Sequence, residues 1–243
     1  MTSLITVYLA LIVIQRAVSV LFADFPYTSI LAQQIFGIFM PVLIYFEFIK
    51  REKCIEKKDL IIKPLHIPII FASGFCMQFF GSFINYPVIL LLQKLEIEAP
   101  KMAEVPEDFK LIYYIFLICV LPAFSEEILF RKFTFLKLSQ FGRLKALFLT
   151  SVIFGIMHFN LYSVIPLIIA GFIMTFTVYK GFPLIYAVIF HFSMNFSGVI
   201  LDVITKNENI NTLIYNHYAL FGIISGIFVI MFALFIKEGF KNE

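Results

Sequence analysis

Apolar residues in this chain come in long blocks parted by short polar breaks, and the blocks match the thickness of a bilayer. A helix that crosses the hydrocarbon core needs about 20 mostly apolar residues. Eight blocks qualify, at roughly 4–22, 29–49, 67–92, 111–130, 146–160, 161–179, 183–204 and 213–236. The fifth and sixth run together, split only by Asn160 with His158 and Ser163 beside it, and predict two short spans or one bent pair. The stretches 50–66 and 93–110 are the larger polar loops. No internal repeat and no low-complexity tract interrupts the pattern. It predicts an all-α, polytopic membrane protein of about eight transmembrane helices, organised as one domain over 1–243.

Loop charge orients these spans. If the N-terminus is cytoplasmic, the inner loops and the C-terminus hold 14 of the 19 Lys and Arg residues and the outer loops hold four. That bias is what the positive-inside rule expects, and it predicts both ends in the cytoplasm. Arg16 is the misfit, inside the first span. It either snorkels, pairs with Asp202, or marks that span as wrongly drawn. The first apolar run has no preceding basic region and no small-residue cleavage pattern, so it reads as a retained span and not as a signal peptide.

Composition narrows the class. The chain is 61% hydrophobic and 14% charged, with a mean hydropathy of +0.95, which excludes a soluble domain of this length. A net charge of +3 is too small to suggest nucleic acid as a partner. Cys54, Cys76 and Cys119 have neither metal spacing nor a disulfide framework, and read as reduced packing residues. The acidic 93–110 stretch, broken by Pro100 and Pro106, reads as a solvated outer loop. His66 and His217 read as interface residues.

Against this background three short segments stand out: Ser-Glu-Glu-Ile-Leu-Phe-Arg at 125–131, Phe-Gly-Ile-Met-His at 154–158 and His-Phe-Ser-Met-Asn at 191–195. Ionisable side chains cost several kcal/mol in hydrocarbon unless they face a polar cavity or each other. Glu126 and Glu127 point about 100° apart on a helix, so they cannot share one role. Glu127 and Arg131 are four apart and lie on one face, as an ion pair would. That leaves Glu126 to face something else. His191 and Asn195 also share a face. Glu126, His158 and His191 fall within about 10 Å of one another along the membrane normal, at 1.5 Å rise per residue, so convergence on a buried polar cavity is expected.

The bland alternatives are specific. Either histidine alone is as well explained as interhelical hydrogen bonding, and Asn195 alone as interhelical glue. Glu126 resists that reading, because a membrane carboxylate beside a second one needs a polar partner. No His-Glu-x-x-His helix, no second aspartate for an aspartyl dyad and no Gly-x-Ser-x-Gly elbow is present. A Glu/His site that activates water remains.

Glu-Glu-x-x-x-Arg, Phe-x-x-x-His and His-x-x-x-Asn, in that order and on successive helices, resemble the CPBP family. This is the family of CAAX prenyl endopeptidases and bacteriocin-processing or immunity proteins, also called Abi. The three signatures span about 70 of the 243 residues, inside a motif core at about 111–204. The resemblance implies an intramembrane endopeptidase that hydrolyses a peptide bond near the cytoplasmic side. It implies that Glu126 and His158 activate a water, that His191 and Asn195 stabilise the oxyanion, and that Glu127 and Arg131 support the site. It leaves the cofactor open: zinc held by Glu126, His158 and His191, or a metal-free glutamate mechanism. The Phe-, Ile-, Lys- and Asn-rich usage fits an AT-rich bacterial genome. A bacterial cytoplasmic membrane is therefore expected, with bacteriocin leaders, pheromone precursors or other membrane peptides as partners. The rival from another class is a non-catalytic immunity or peptide-binding protein that uses the same cavity. A transporter fits less well, since no repeated halves or paired broken helices occur.

Overall fold

The computed structural model describes residues 2–22, 24–40, 62–99, 105–106 and 110–238, and every regular element among them is helical. In chain order these are α1 (Thr2–Leu21), α2 (Pro26–Gln34, continued by a wide π-type turn over Ile35–Phe39), α3 (His66–Lys94), α4 (Lys110–Ser139), α5 (Arg143–Ile156), α6 (Val164–Tyr179), α7 (Leu184–Thr205), α8 (Glu208–Asn216) and α9 (Tyr218–Glu238). The second half of the expected 29–49 span, most of the 50–66 loop with Cys54, and much of the 93–110 loop lie outside the described residues.

The eight-span count is not reproduced. Four described helices are long and apolar enough to cross a membrane: α3, α4, α7 and α9. Thr6–Leu21 within α1, and α6, are shorter apolar helices. The expected fifth and sixth spans become a hairpin of 14 and 16 residues. At 1.5 Å per residue these are about 21 and 24 Å long, short of a core about 30 Å thick. The helix drawn through 146–160 stops at Ile156, so His158 sits in the connecting turn instead of on a span. The expected last span, 213–236, divides at His217 into α8 and α9. Asn207 caps α8 by accepting from the N–H groups of Asn209 and Ile210.

The chain packs through small residues, as lipid-embedded helices do where hydrophobic burial gives no net drive. Gly74 brings α3 onto the backbone of α7, where an added Cβ would meet the Phe190 carbonyl. Beside it Ser193 on α7 donates to the Phe71 carbonyl on α3. On the other side of α3, Gly222 and Gly226 of α9 lie against Phe83 and Phe80. His66 opens α3 within 3.0 Å of the Tyr186 hydroxyl, packed edge-on against Phe182 and Phe235, so it ties three elements together. Cys76 and Cys119 are free thiols, as expected.

The helix α4 runs through the middle, touching α2, α5, α6 and α7. It is not a regular α-helix. Pro122 has no N–H to give to the carbonyl one turn back. That carbonyl, of Ile118, accepts instead from the Asn195 amide on α7 at 3.0 Å. A wide turn precedes the proline over Phe116–Val120, and a second spans Ile128–Phe135. In the second, Thr134 donates its hydroxyl proton to the Leu129 carbonyl five residues back, and its oxygen lies 2.6 Å from the Tyr8 hydroxyl of α1. The two turns bracket Glu126 and Glu127.

The α3–α7 contact makes a direct prediction. Gly74→Ala forces a methyl group against the α7 backbone and is expected to cost about 1–3 kcal/mol. Thermal unfolding of the detergent-solubilised variant, compared with an Ala substitution at exposed Leu90, checks it.

Candidate active site

The polar residues of α4 divide into two groups that face different ways. Glu127 and Arg131 are fully buried and His191 is 2% exposed. Glu127 Oε1 accepts from Arg131 Nη1 at 2.9 Å and lies 2.9 Å from His191 Nδ1. Arg131 also donates from Nη2 to the Gly171 carbonyl on α6 at 3.3 Å. Gly171 makes that reach feasible, because a Cβ there would press on the Phe154 ring at 3.0 Å. One carboxylate thus binds α4 to α7 and, through Arg131, to α6.

Glu126 lies on the other side, lining a cavity of about 540 Å³. Its wall comes from α1, α2, α4 and the turn after α5. His158 lines it too, with its Nε2 3.7 Å from Glu126 Oε2; the two side chains are 30% and 10% exposed. His158 Nδ1 is 2.7 Å from the Phe154 carbonyl. A carbonyl can only accept, so Nδ1 carries a proton and, in the neutral ring, Nε2 presents a lone pair to the cavity. Unwound backbone around His158 is tolerated in lipid where it borders a wet cavity. Phe159, next in the chain, has a φ of +49°, the left-handed region that a side chain with a Cβ disfavours.

Phe154 is the partition between the two groups. Its fully buried ring lies 4.9 Å from the His158 ring and 5.7 Å from the His191 ring, and the Arg131 guanidinium sits 4.6 Å over it. The structure therefore brings Glu126 to His158, and Glu127 to Arg131 and His191. It does not place His191 or Asn195 on the cavity wall. Asn195 instead holds the Ile118 carbonyl.

These contacts bear on zinc. Among the described residues no three His, Cys, Asp or Glu side chains converge as metal ligands. Glu126, His158 and His191 do not fit as a ligand set here, because His191 turns its Nδ1 to Glu127 behind the Phe154 ring.

Two cavity residues lie outside the motifs. Arg16 makes no ion pair with Asp202; its guanidinium sits 5.6 Å over the Phe159 ring, on the same wall as Glu126 and His158. The polar misfit in the first apolar block is thus a cavity residue, and a cation in an apolar run was its signal. Gln34 contacts Ser125 and Glu126. The paired amides Gln33-Gln34 in the second apolar block carried a fainter version of that signal.

Comparison with known proteins agrees with the motif resemblance. Residues 108–197 match the family model for type II CAAX prenyl endopeptidase Rce1-like proteins. All three motifs fall within that segment. That family is, by its description, one of prenyl endopeptidases, and the matched segment covers 90 of the 243 residues. No curated protein and no solved structure matches the chain.

The buried trio predicts an order of stabilities. Removing Arg131 alone leaves a buried carboxylate without its cation, which costs about 3–5 kcal/mol, whereas replacing both partners with apolar groups costs far less. Arg131→Met is therefore expected to lower the unfolding midpoint more than Glu127→Leu/Arg131→Met, as measured by thermal denaturation in detergent.

Proposed function

Starting from an Rce1-like segment that carries all three motifs, we propose that the chain is an intramembrane endopeptidase whose water is activated by Glu126 and His158. The observation that carries this reading is the facing of two acceptors across 3.7 Å inside a cavity. Glu126 Oε2 is buried and has no hydrogen-bond partner among the described residues, and His158 presents Nε2 as a lone pair. A water bridging the two must donate a proton to each. Its own lone pairs then point away from both, toward whatever occupies the cavity. That is the orientation a nucleophile needs.

The steps follow from the same contacts. The water oxygen bonds to the scissile carbonyl carbon as Glu126 takes one of its protons. The tetrahedral oxyanion collapses, the C–N bond breaks, and Glu126 returns the proton to the leaving amine. The second water proton leaves with the new carboxyl group. Phe154, by fixing the His158 ring from behind and accepting its Nδ1–H, keeps Nε2 available as an acceptor throughout.

We assign His191 and Asn195 to the oxyanion, where each donor can contribute about 3–4 kcal/mol. Asn195 has a second amide N–H beyond the one it gives to Ile118. His191 donates from Nε2 only as the imidazolium, since its Nδ1 proton goes to Glu127. That role needs the scissile carbonyl to reach past the Phe154 ring. Bacterial membrane peptides, cut near the cytoplasmic face with both chain ends in the cytoplasm, are the substrate setting that the loop charges and residue usage support.

Purified chain in detergent, incubated with a membrane-peptide library and read by mass spectrometry, tests the reading. Glu126→Gln and His158→Ala are each expected to slow cleavage by about 10²–10⁴-fold. Cleavage at the wild-type rate in both variants would overturn it. Retained peptide binding, with no cleavage by wild type, would favour the immunity-type binder.

A further inference from the structure

Gln34 stands where α2 passes into its wide turn, outside the matched segment and the three motifs. Ser125, 1% exposed, donates its hydroxyl proton to Gln34 Oε1 at 2.8 Å. The Gln34 Nε2 points at Glu126 Oε1, 3.5 Å away. The first contact decides the second. An amide whose oxygen accepts from Ser125 turns its NH₂ toward the carboxylate. The reverse orientation sets the amide oxygen against a carboxylate oxygen, two acceptors with no proton between them. The Leu121 carbonyl, 2.9 Å from Ser125 Oγ, is a second acceptor within reach of the same hydroxyl proton, so the two oxygens share it.

This chain of contacts makes the two oxygens of Glu126 unequal. Oε1 faces the Gln34 amide, and Oε2 faces His158. The terminal torsion of a Glu carboxylate is otherwise broad and two-fold, so nothing intrinsic to the side chain selects one oxygen. We propose that Gln34 is a positioning residue for the hydrolysis: set by Ser125, its amide holds Glu126 Oε1 so that Oε2 meets the water at His158. This rests on the proteolytic reading of Glu126 and His158, and it brings the N-terminal helices into that site. The 3.5 Å contact is long for an N–H···O bond. Catalytic hydrogen bonds commonly tighten once substrate is bound.

The test uses the full chain purified in detergent. Gln34→Glu keeps the acceptor for Ser125 and loses the donor; Gln34→Leu loses both. A hydrogen bond to a charged group is worth enough that kcat is expected to fall about 10- to 100-fold in each. KM is expected to stay within about twofold, as for a group that acts in the transition state and not in peptide binding. Ser125→Ala lowers kcat similarly, and Ser125→Ala/Gln34→Leu is no slower than the worse single variant, since both act through one contact. Full activity in Gln34→Leu, with Glu126→Gln still inactive, overturns the positioning role and leaves the proteolytic reading intact. A second readout does not depend on turnover. The infrared carboxylate bands of Glu126, isolated by difference against Glu126→Gln, are expected to shift in Gln34→Leu. Unshifted bands overturn the role. Shifted bands in a chain with no Glu126-dependent cleavage sustain the contact and overturn the proposed function instead.

Discussion

One oxygen atom organises the centre of this protein. Glu127 Oε1 lies 2.9 Å from a guanidinium nitrogen and 2.9 Å from an imidazole nitrogen, all three groups removed from solvent. Charges so deep in lipid-embedded helices persist only because each neutralises or hydrogen-bonds the next. The same contact fixes the rotation of α4 against α7 and, through the Gly171 carbonyl, against α6. Once Glu127 is satisfied in that direction, its neighbour must point about 100° away. Glu126 therefore reaches the cavity because Glu127 is occupied elsewhere.

The Phe154 ring gives this division its sharpness. It touches an imidazole on each side and carries the Arg131 guanidinium on its face. The ring stands between the cavity's histidine and the ionic trio, and both groups are built within about two helical turns of α4. The cavity's far wall is contributed by α1 and α2, which precede the matched segment in the chain. The motif core thus supplies the reacting pair, and the N-terminal helices supply Arg16, Gln15, Gln33 and Gln34 around it.

Spacing along a helix was the legible part of this architecture. Four-residue intervals put Glu127 with Arg131 and His191 with Asn195 on shared faces, and the coordinates keep both pairs together on α4 and α7. Adjacent carboxylates were bound to diverge, and they do. What could not be read was partnership between distant segments. Nothing in the local pattern says that His191 answers Glu127 and not Glu126, or that Asn195 answers a carbonyl freed by Pro122. Two wide turns in α4 add to this, since each rotates the residues beyond it away from a 3.6-residue extrapolation. Hydropathy drew one region differently for a related reason. The α5–α6 hairpin is as apolar as a true span but too short, and the break that shortens it carries His158.

Pro122 has a mechanical consequence. The helix is interrupted there by proline and widened one turn earlier, and the carbonyl that the proline leaves without a donor is taken up by a side chain of another helix, Asn195. It forms a joint one turn before Glu126. A bend at the joint would tilt the part of α4 before Pro122 against α7 and leave the clamp at Glu127 shut. Such a bend would leave the charges that anchor the helix in place.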